Sequence, residues 1–243
     1  MQEGLMAIHG MSAEDKFAAS SSEILNRFGV RLTMGYDFDE YRHWVKQARP
    51  DHVVGDPFDS KQHQLGKGNA RWIIGRDEQG EIMHTQALRI LPTGIKSVGE
   101  YFRTSFRGFA PSRPDIDYER SRYRAGPGAK RMTGRVAYSG ETWVGGAPGK
   151  YRGSGLSTVL GRYALLSAIK EFDVDYVVGF MIKPVAYKGF CLRMGFMHAE
   201  PMALRWYIQN EEEPVEAVMV YMSNEDIRFI LDLPAAELDA LAA

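Results

Sequence analysis

Glu141-Thr142-Trp143-Val144 runs directly into Gly145-Gly146-Ala147-Pro148-Gly149-Lys150-Tyr151-Arg152-Gly153-Ser154-Gly155-Leu156-Ser157, and the reading of this stretch decides the fold. A strand-like run stops at a cluster of glycines. Leu156 to Lys170 then carries apolar residues at helical spacing, with Leu156, Val159, Leu160 and Tyr163 on one face, followed by Leu166 and Ile169. A helix N-terminus presents unpaired N–H groups and the positive end of its dipole. Glycines let a backbone close around an anion without Cβ clashes, and Lys150 and Arg152 add charge at the same place. Two readings stand on the glycines alone: an anion site, or a tight strand-to-helix turn without a ligand. A Walker A loop is excluded, because it needs Gly-Lys-Ser/Thr at its end. A dinucleotide fingerprint is excluded too, because Leu156-Ser157-Thr158 follows Gly153-Ser154-Gly155 where a third glycine belongs.

Downstream of this segment, Tyr176 to Ile182 is a short apolar run that suits a buried strand. Pro184 to Met194 predicts a helix stopped by Gly195. Phe196 to Tyr207 and Val215 to Met222 read as strands about the turn Glu211-Glu212-Glu213-Pro214, and the tail from Asn224 has helical content. Upstream, Arg135 to Tyr138 and Glu141 to Val144 read as strand, with Ser139-Gly140 marking a bulge. Arg71 to Ile74 and Glu81 to Leu91 form a hairpin about Asp77-Glu78-Gln79-Gly80. Val30 to Met34 predicts a first strand. Asp37 to Gln47 predicts a helix, with Phe38, Tyr41, Trp44 and Val45 at helical spacing and Pro50 ending it. Asp51 to Asn69 reads as loop, and Pro92 to Arg131 as irregular. Met1 to Ser22 is small and polar and is expected to be a flexible segment or a short helix. Strands followed by a helix between two strands, then more strands, make a mixed α/β pattern.

With 243 residues, 44% hydrophobic and 25% charged, the chain has the balance of a globular protein that can bury a core. A formal net charge of −1 gives no sign of a nucleic-acid binder. Arginine is dense over Arg103 to Arg107 and Arg120 to Arg135, read either as solvated loop surface or as an electropositive rim for an anionic substrate or donor. The single cysteine, Cys191, allows no internal disulfide and fits a reducing compartment. Neither a signal peptide nor a membrane-spanning run is read in the sequence, so no membrane association is expected and a cytoplasmic location is. The six histidines show no metal-ligand spacing, and no metal is expected.

Lys150-Tyr151-Arg152-Gly153-Ser154-Gly155-Leu156 resembles the loop of the Gcn5-related N-acetyltransferase (GNAT) superfamily, whose pattern is Gln/Arg-x-x-Gly-x-Gly/Ala. Lys150 stands where Gln or Arg is usual. About 30 residues on, strand Tyr176 to Ile182, helix Pro184 to Met194 and Gly195-Phe196 are similar to that family's Asn-x-x-Ala-x-x-x-Tyr-x-x-x-Gly-Phe segment. The resemblance covers Arg135 to Phe196 and implies a mixed, mostly antiparallel sheet flanked by helices. It implies one domain over 23–243 after a flexible segment 1–22. It implies a CoA pyrophosphate on the amides of Lys150, Arg152, Gly153, Ser154, Gly155, Leu156 and Ser157, with pantetheine held along a bulged, splayed strand at Trp143 and Val144.

The sequence departs from the family at three positions. Cys191 occupies the usual tyrosine position, Pro184 the asparagine and Tyr187 the alanine. The tyrosine often protonates the departing thiolate, so Tyr187, one helical turn earlier, and Cys191 are the candidate acids. Cys191 is also read as a small buried hydrophobe. Glu141 is the best-placed general base, because an amine must lose a proton as it attacks the thioester. The resemblance implies an N-acyltransferase that moves an acyl group, acetyl first, from acetyl-CoA or another acyl-CoA to a small-molecule amine within a ternary complex; the sequence leaves the oligomeric state open, a homodimer being one alternative. Two further readings stay open: a long-chain N-acyl amino acid or acyl-homoserine-lactone type of synthase using acyl carrier protein, and a non-catalytic acyl-CoA-binding protein. Acceptor pockets in this family are built from variable loops, here Asp51 to Asn69 and Pro92 to Arg131.

Overall fold

The computed structural model describes residues 12–111, 115–146, 150–151, 154–233 and 237. In chain order the described elements are α1 (Ala13–Arg27), β1 (Arg31–Gly35), α2 (Phe38–Ala48), β2 (Ala70–Arg76), β3 (Ile82–Ile90), α3 (Val98–Ser105), β4 (Ile116–Tyr123), α4 (Pro127–Arg131), β5 (Val136–Val144), α5 (Leu156–Phe172), β6 (Tyr176–Ile182), α6 (Lys183–Ala186), α7 (Phe190–Arg193), β7 (His198–Ile208), β8 (Val215–Ser223) and α8 (Asn224–Leu231). Eight strands form one sheet in the order β1-β2-β3-β5-β6-β8-β7-β4. Every pair is antiparallel except β5 with β6. That parallel pair follows from its connection, since α5 carries the chain back before β6 begins.

Helices cover both faces. On one face Phe17, Ile24 and Leu25 of α1, Leu156, Val159 and Leu160 of α5, and Ile227 and Ile230 of α8 pack over Met83, Leu88, Ala137, Val177 and Val220 of the sheet. On the other, Phe38, Tyr41 and Val45 of α2 and Val98 and Phe102 of α3 pack over Trp72, Ile74, Ala87, Tyr138 and Val178. Alternate residues of a strand point to opposite faces, so β5 supplies Ala137 to the first core and Tyr138 to the second. Because α1 and α8 lie over α5, that helix is buried on most sides. This explains why its sequence is more continuously apolar than a surface helix.

Capping fixes several helix starts. Asp37 Oδ1 accepts from the N–H groups of Asp39 and Glu40 at 2.9 and 3.1 Å. Ser97 with Glu100, and Ser223 with Asp226, form capping boxes. Ser12 caps α1 by accepting from Asp15 N–H at 3.1 Å.

Met1 to Ser22, expected to be flexible or a short helix, carries the start of α1 from Ala13; that helix buries Phe17 and Ser21 and runs on past the expected boundary to Arg27. Two expectations are corrected. The stretch Pro92 to Arg131 is not irregular: it contains α3, β4 and α4, and β4 extends the sheet beyond β7. The helix expected from Pro184 to Met194 is two separate turns, α6 and α7, because Gly189 between them takes φ +78° and ends the first. No described helix is long and apolar enough to cross a membrane.

Phe17 is 1% exposed beneath α1. Phe17→Ala is expected to destabilise the protein by about 3–5 kcal/mol in urea unfolding, the usual cost of emptying a buried aromatic site. A change within about 0.5 kcal/mol would mean that α1 is not part of the cooperative core.

Candidate active site

The site begins where two strands stop pairing. β5 and β6 share only Val136↔Tyr176, Ala137↔Val177 and Tyr138↔Val178. Beyond that, β5 stays paired with β3 as far as His84↔Val144, and β6 with β8 as far as Ile182↔Ala217. Each strand is therefore held by its outer neighbour while the two diverge from one another. At the branch point they nearly touch: a Cβ on Gly179 would sit 2.9 Å from the Ser139 carbonyl oxygen, so only glycine fits.

A bulge bends β5 away. Between the pairs Ala87↔Gly140 and Thr85↔Trp143, β5 carries Glu141 and Thr142 against the single residue Gln86. The bulge thus falls one step later than Ser139-Gly140. Glu141 takes φ +56°, a conformation that costs a residue with a Cβ about 1–3 kcal/mol. Side chains from β3 satisfy the carbonyls of the distorted segment. Thr85 Oγ1 donates to Glu141 O at 2.9 Å, and His84 Nδ1 donates to Trp143 O at 2.8 Å.

The Glu141 carboxylate is fastened from the loop after α2. Its Oε1 accepts the Gly55 N–H at 3.0 Å, and its Oε2 lies 2.7 Å from His52 Nε2. Its side chain is only 10% exposed. Each carboxylate oxygen keeps acceptor capacity beyond these bonds. Arg49, the residue that ends α2, places its guanidinium over the Trp143 ring, 5.5 Å from the centroid. Burial draws the Arg49 pKa below its ordinary value, and the nearby charge of Glu141 partly opposes this.

These groups line a cavity of about 590 Å³ that occupies the split. Its apolar walls come from both sides. Val185, Phe190 and Met194 belong to α6, α7 and the residue that follows, while Phe58 and Phe109 come from the loops before β2 and after α3. Phe58 stacks on Tyr138 with centroids 5.7 Å apart, and Phe109 meets the same ring edge to face at 4.8 Å. Burial and the charge of Glu141 push the Tyr138 phenol well above its ordinary pKa. The two loops expected to build an acceptor pocket do line the cavity, through Asp51 to Phe58 and Phe109 to Pro111.

The glycine-rich segment lies between β5 and α5 in the chain, and the Tyr151 ring packs beside Gly146, just past the end of β5. Gly155 is the N-cap in the left-handed region at φ +76°, and no side chain caps the helix through the usual position. Ser154 Oγ donates to Tyr151 O at 2.8 Å and accepts from Leu156 N–H at 3.3 Å. Leu156 is fully buried as a core anchor, and Ser157 is half-buried. Lys150 points elsewhere: its Nζ lies 3.2 Å from Asp77 in the β2–β3 turn and 4.8 Å from the Tyr151 ring centroid. Tyr151 and Asp77 hold that ammonium above its ordinary pKa. Arg152 and Gly153 lie outside the described residues.

The sequence candidates are thus partly brought together. Glu141 lines the cavity, with Trp143 and Val144 on the strand that leads out of it. Tyr187 and Cys191 do not line it. Tyr187 is 65% exposed at the end of α6, and the Cys191 Sγ lies 3.6 Å from the Ala186 carbonyl, packed against the core under α5. The break at Gly189 turns Phe190 and Met194 to the cavity instead. The arginine-dense stretch is also elsewhere: Arg120, Arg122 and Arg124 stand with Arg205 along a separate groove at the β4 edge. His52 and Arg49 were not singled out from the sequence. Among the described residues no group of His, Cys, Asp and Glu could hold a metal ion.

No protein-family model and no curated protein matches the chain. Solved structures with a similar arrangement include an N-acetyltransferase from Staphylococcus aureus, with 12% identity and a TM-score of 0.42 over 80% of this chain and 97% of that one. A dodecameric spermidine N-acetyltransferase from Vibrio cholerae has 10% identity and a TM-score of 0.46 over 80% of this chain and 94% of that one. A probable acetyltransferase from Staphylococcus epidermidis has 12% identity and a TM-score of 0.41 over 80% of this chain and 99% of that one. At such identities and scores, nothing about activity follows from the likeness.

His84 gives a prediction of its own. Burial pulls its pKa from 6.5 down to about 4, against the opposing pull of the bond to Trp143 O, and its Nε2 has no partner. The unfolded chain therefore binds a proton in a range where the folded protein does not. The stabilisation from neutral His84 is complete above about pH 6.5 and lost as the pH falls through about 4. On the order of 3 kcal/mol is at stake. Urea unfolding of the wild type and of His84→Gln at intervals between these limits should show a shallower pH slope in the variant. Identical slopes would contradict the assignment.

Proposed function

We propose that the protein transfers an acyl group from the thioester of an acyl-CoA to a primary amine, by direct attack while both substrates are bound. The observation that carries this reading is the parting of β5 and β6 with the Glu141 carboxylate on its lip. A pantetheine arm is long, narrow and rich in amides. The side of β5 turned towards β6 has no ladder partner beyond Tyr138, so it offers backbone groups along such an arm. The glycine-led start of α5, which follows β5 in the chain, suits the pyrophosphate. Acyl-CoA supplies an activated carbonyl; the chain's own residues hold, orient and deprotonate.

In this reading the amine nitrogen bonds to the thioester carbonyl carbon, the C–S bond breaks, and the sulfur leaves as CoA thiolate, which takes up a proton on release. Glu141 receives the proton that the nitrogen loses, directly or through a water. His52 positions the carboxylate from the second oxygen. Being only partly buried, it also links Glu141 to solvent for return of the proton. Tyr187 and Cys191 take no part, since neither reaches the cavity. The apolar walls exclude water from the thioester and so favour the amine over hydrolysis.

Titration calorimetry with acetyl-CoA and with CoA is expected to show micromolar binding. Glu141→Gln is expected to bind acetyl-CoA as the wild type does and to lose about 100-fold or more in kcat, the usual share of a general base. Turnover at the wild-type rate would remove Glu141 from this role. Failure of the wild type to bind either compound would overturn the proposal.

A further inference from the structure

The cavity also carries information about the acceptor. We propose, on the basis of the acyl-transfer reading above, that the amine accepted is the α-amino group of an amino acid with an aromatic side chain.

Three features of the wall support this, and each speaks to a different part of the ligand. The first is Glu141 with His52 and Gly55, which place a fixed carboxylate where an amino group must lose its proton. The second is Arg49. It lines the same cavity, is half-buried, and pairs with no carboxylate within salt-bridge distance among the described residues. It lies close enough to Glu141 for the two charges to act on one another. Arginine stays charged in a protein; the Trp143 ring and the nearby Glu141 charge offset only part of the cost of its desolvation, and a ligand carboxylate in direct contact would offset more. An amino acid bears its ammonium and its carboxylate on one carbon, which is the separation that neighbouring opposite charges on a wall can read together. The planar guanidinium fork matches a carboxylate in two parallel bonds.

The third feature is the floor. Phe58, Phe109, Tyr138, Phe180 and Trp206 all line the cavity. Phe109 meets Tyr138 edge to face, and lies 6.2 Å from Phe180, also edge to face. Edge-to-face and stacked contacts of this kind are what a further ring prefers. Among the described residues, Glu141 and the exposed Asp51 are the carboxylates that line the cavity. A polyamine would bring additional ammonium groups into a space that already holds the Arg49 guanidinium, and an aromatic amine without a carboxylate would leave Arg49 as it is.

The test is a matched pair of acceptors at saturating acetyl-CoA, L-phenylalanine and phenethylamine, which differ only by the carboxylate, with spermidine as a third. CoA release gives kcat and KM for each. Phenylalanine is expected to exceed phenethylamine in kcat/KM by about tenfold or more, mostly through KM. Arg49→Gln is expected to bring that ratio towards one. Arg49→Lys, which keeps the charge but loses the fork, should give an intermediate ratio and also guards against a folding defect in the first variant. A preference for phenethylamine or spermidine, or an unchanged ratio in both Arg49 variants, would overturn the inference. Calorimetry with acetyl-CoA separates the two levels. Binding together with turnover of other amines alone defeats the acceptor assignment and leaves acyl transfer standing, whereas absence of binding defeats both.

Discussion

The rest of the structure turns on a hydrogen-bond ladder that is broken after three pairs. A parallel strand pair in the middle of a sheet normally continues, because each unpaired backbone group in a protein interior is costly. Here β5 and β6 part at Ser139 and Gly179, and each is kept straight enough by the strand on its far side. The parting is affordable only because the bulge at Glu141 is satisfied from β3 by Thr85 and His84, and because glycine at 179 lets the branch point close tightly. The two outer neighbours thus make a central defect permanent, and a permanent defect in a rigid sheet is a preformed slot.

The same bulge sets the electrostatics. A carboxylate on a regular strand would stand either in the core or over a helix. The left-handed turn at Glu141 aims it into the slot, where a histidine and a backbone N–H from the loop after α2 hold it. The strain at one residue and the fastening of its side chain belong together: the loop contacts help to hold a conformation that the local sequence disfavours. Arg49 reaches the same place because the turn that ends α2 places it close to His52, whose N–H bonds to the Arg49 carbonyl at 2.9 Å.

Much of this was legible in the sequence, and what was not has physical causes. The β2–β3 hairpin, α5 and β6 announced themselves through turn chemistry and periodicity, both of which are local. Glu141 was legible as the acid on a bulged strand. His52 and Arg49 were not, because their meeting with β5 spans about 90 positions of chain and leaves no local pattern. The insertion containing α3 and β4 was misread although Ser97 and Glu100 spell a capping box, because the outward arginines of β4 hide its alternation and glycines and prolines surround it. Tyr187 and Cys191 stand away from the cavity for one reason. Their placement assumed an unbroken helix, and a single left-handed glycine at 189 changes the phase of everything after it.

The helix that follows the glycine-rich segment is roofed by the first and last described helices, α1 and α8, and Arg228 of α8 is hydrogen-bonded to Glu14 of α1. Some 200 residues of chain separate those two roof pieces. While the protein emerges from a ribosome, the apolar back of α5 is therefore made well before α8 exists to cover it. Contacts of such sequence separation form late and slow folding. The half-built protein must carry an uncovered hydrophobic surface until α8 leaves the exit tunnel, which makes the nascent chain a natural client for chaperones.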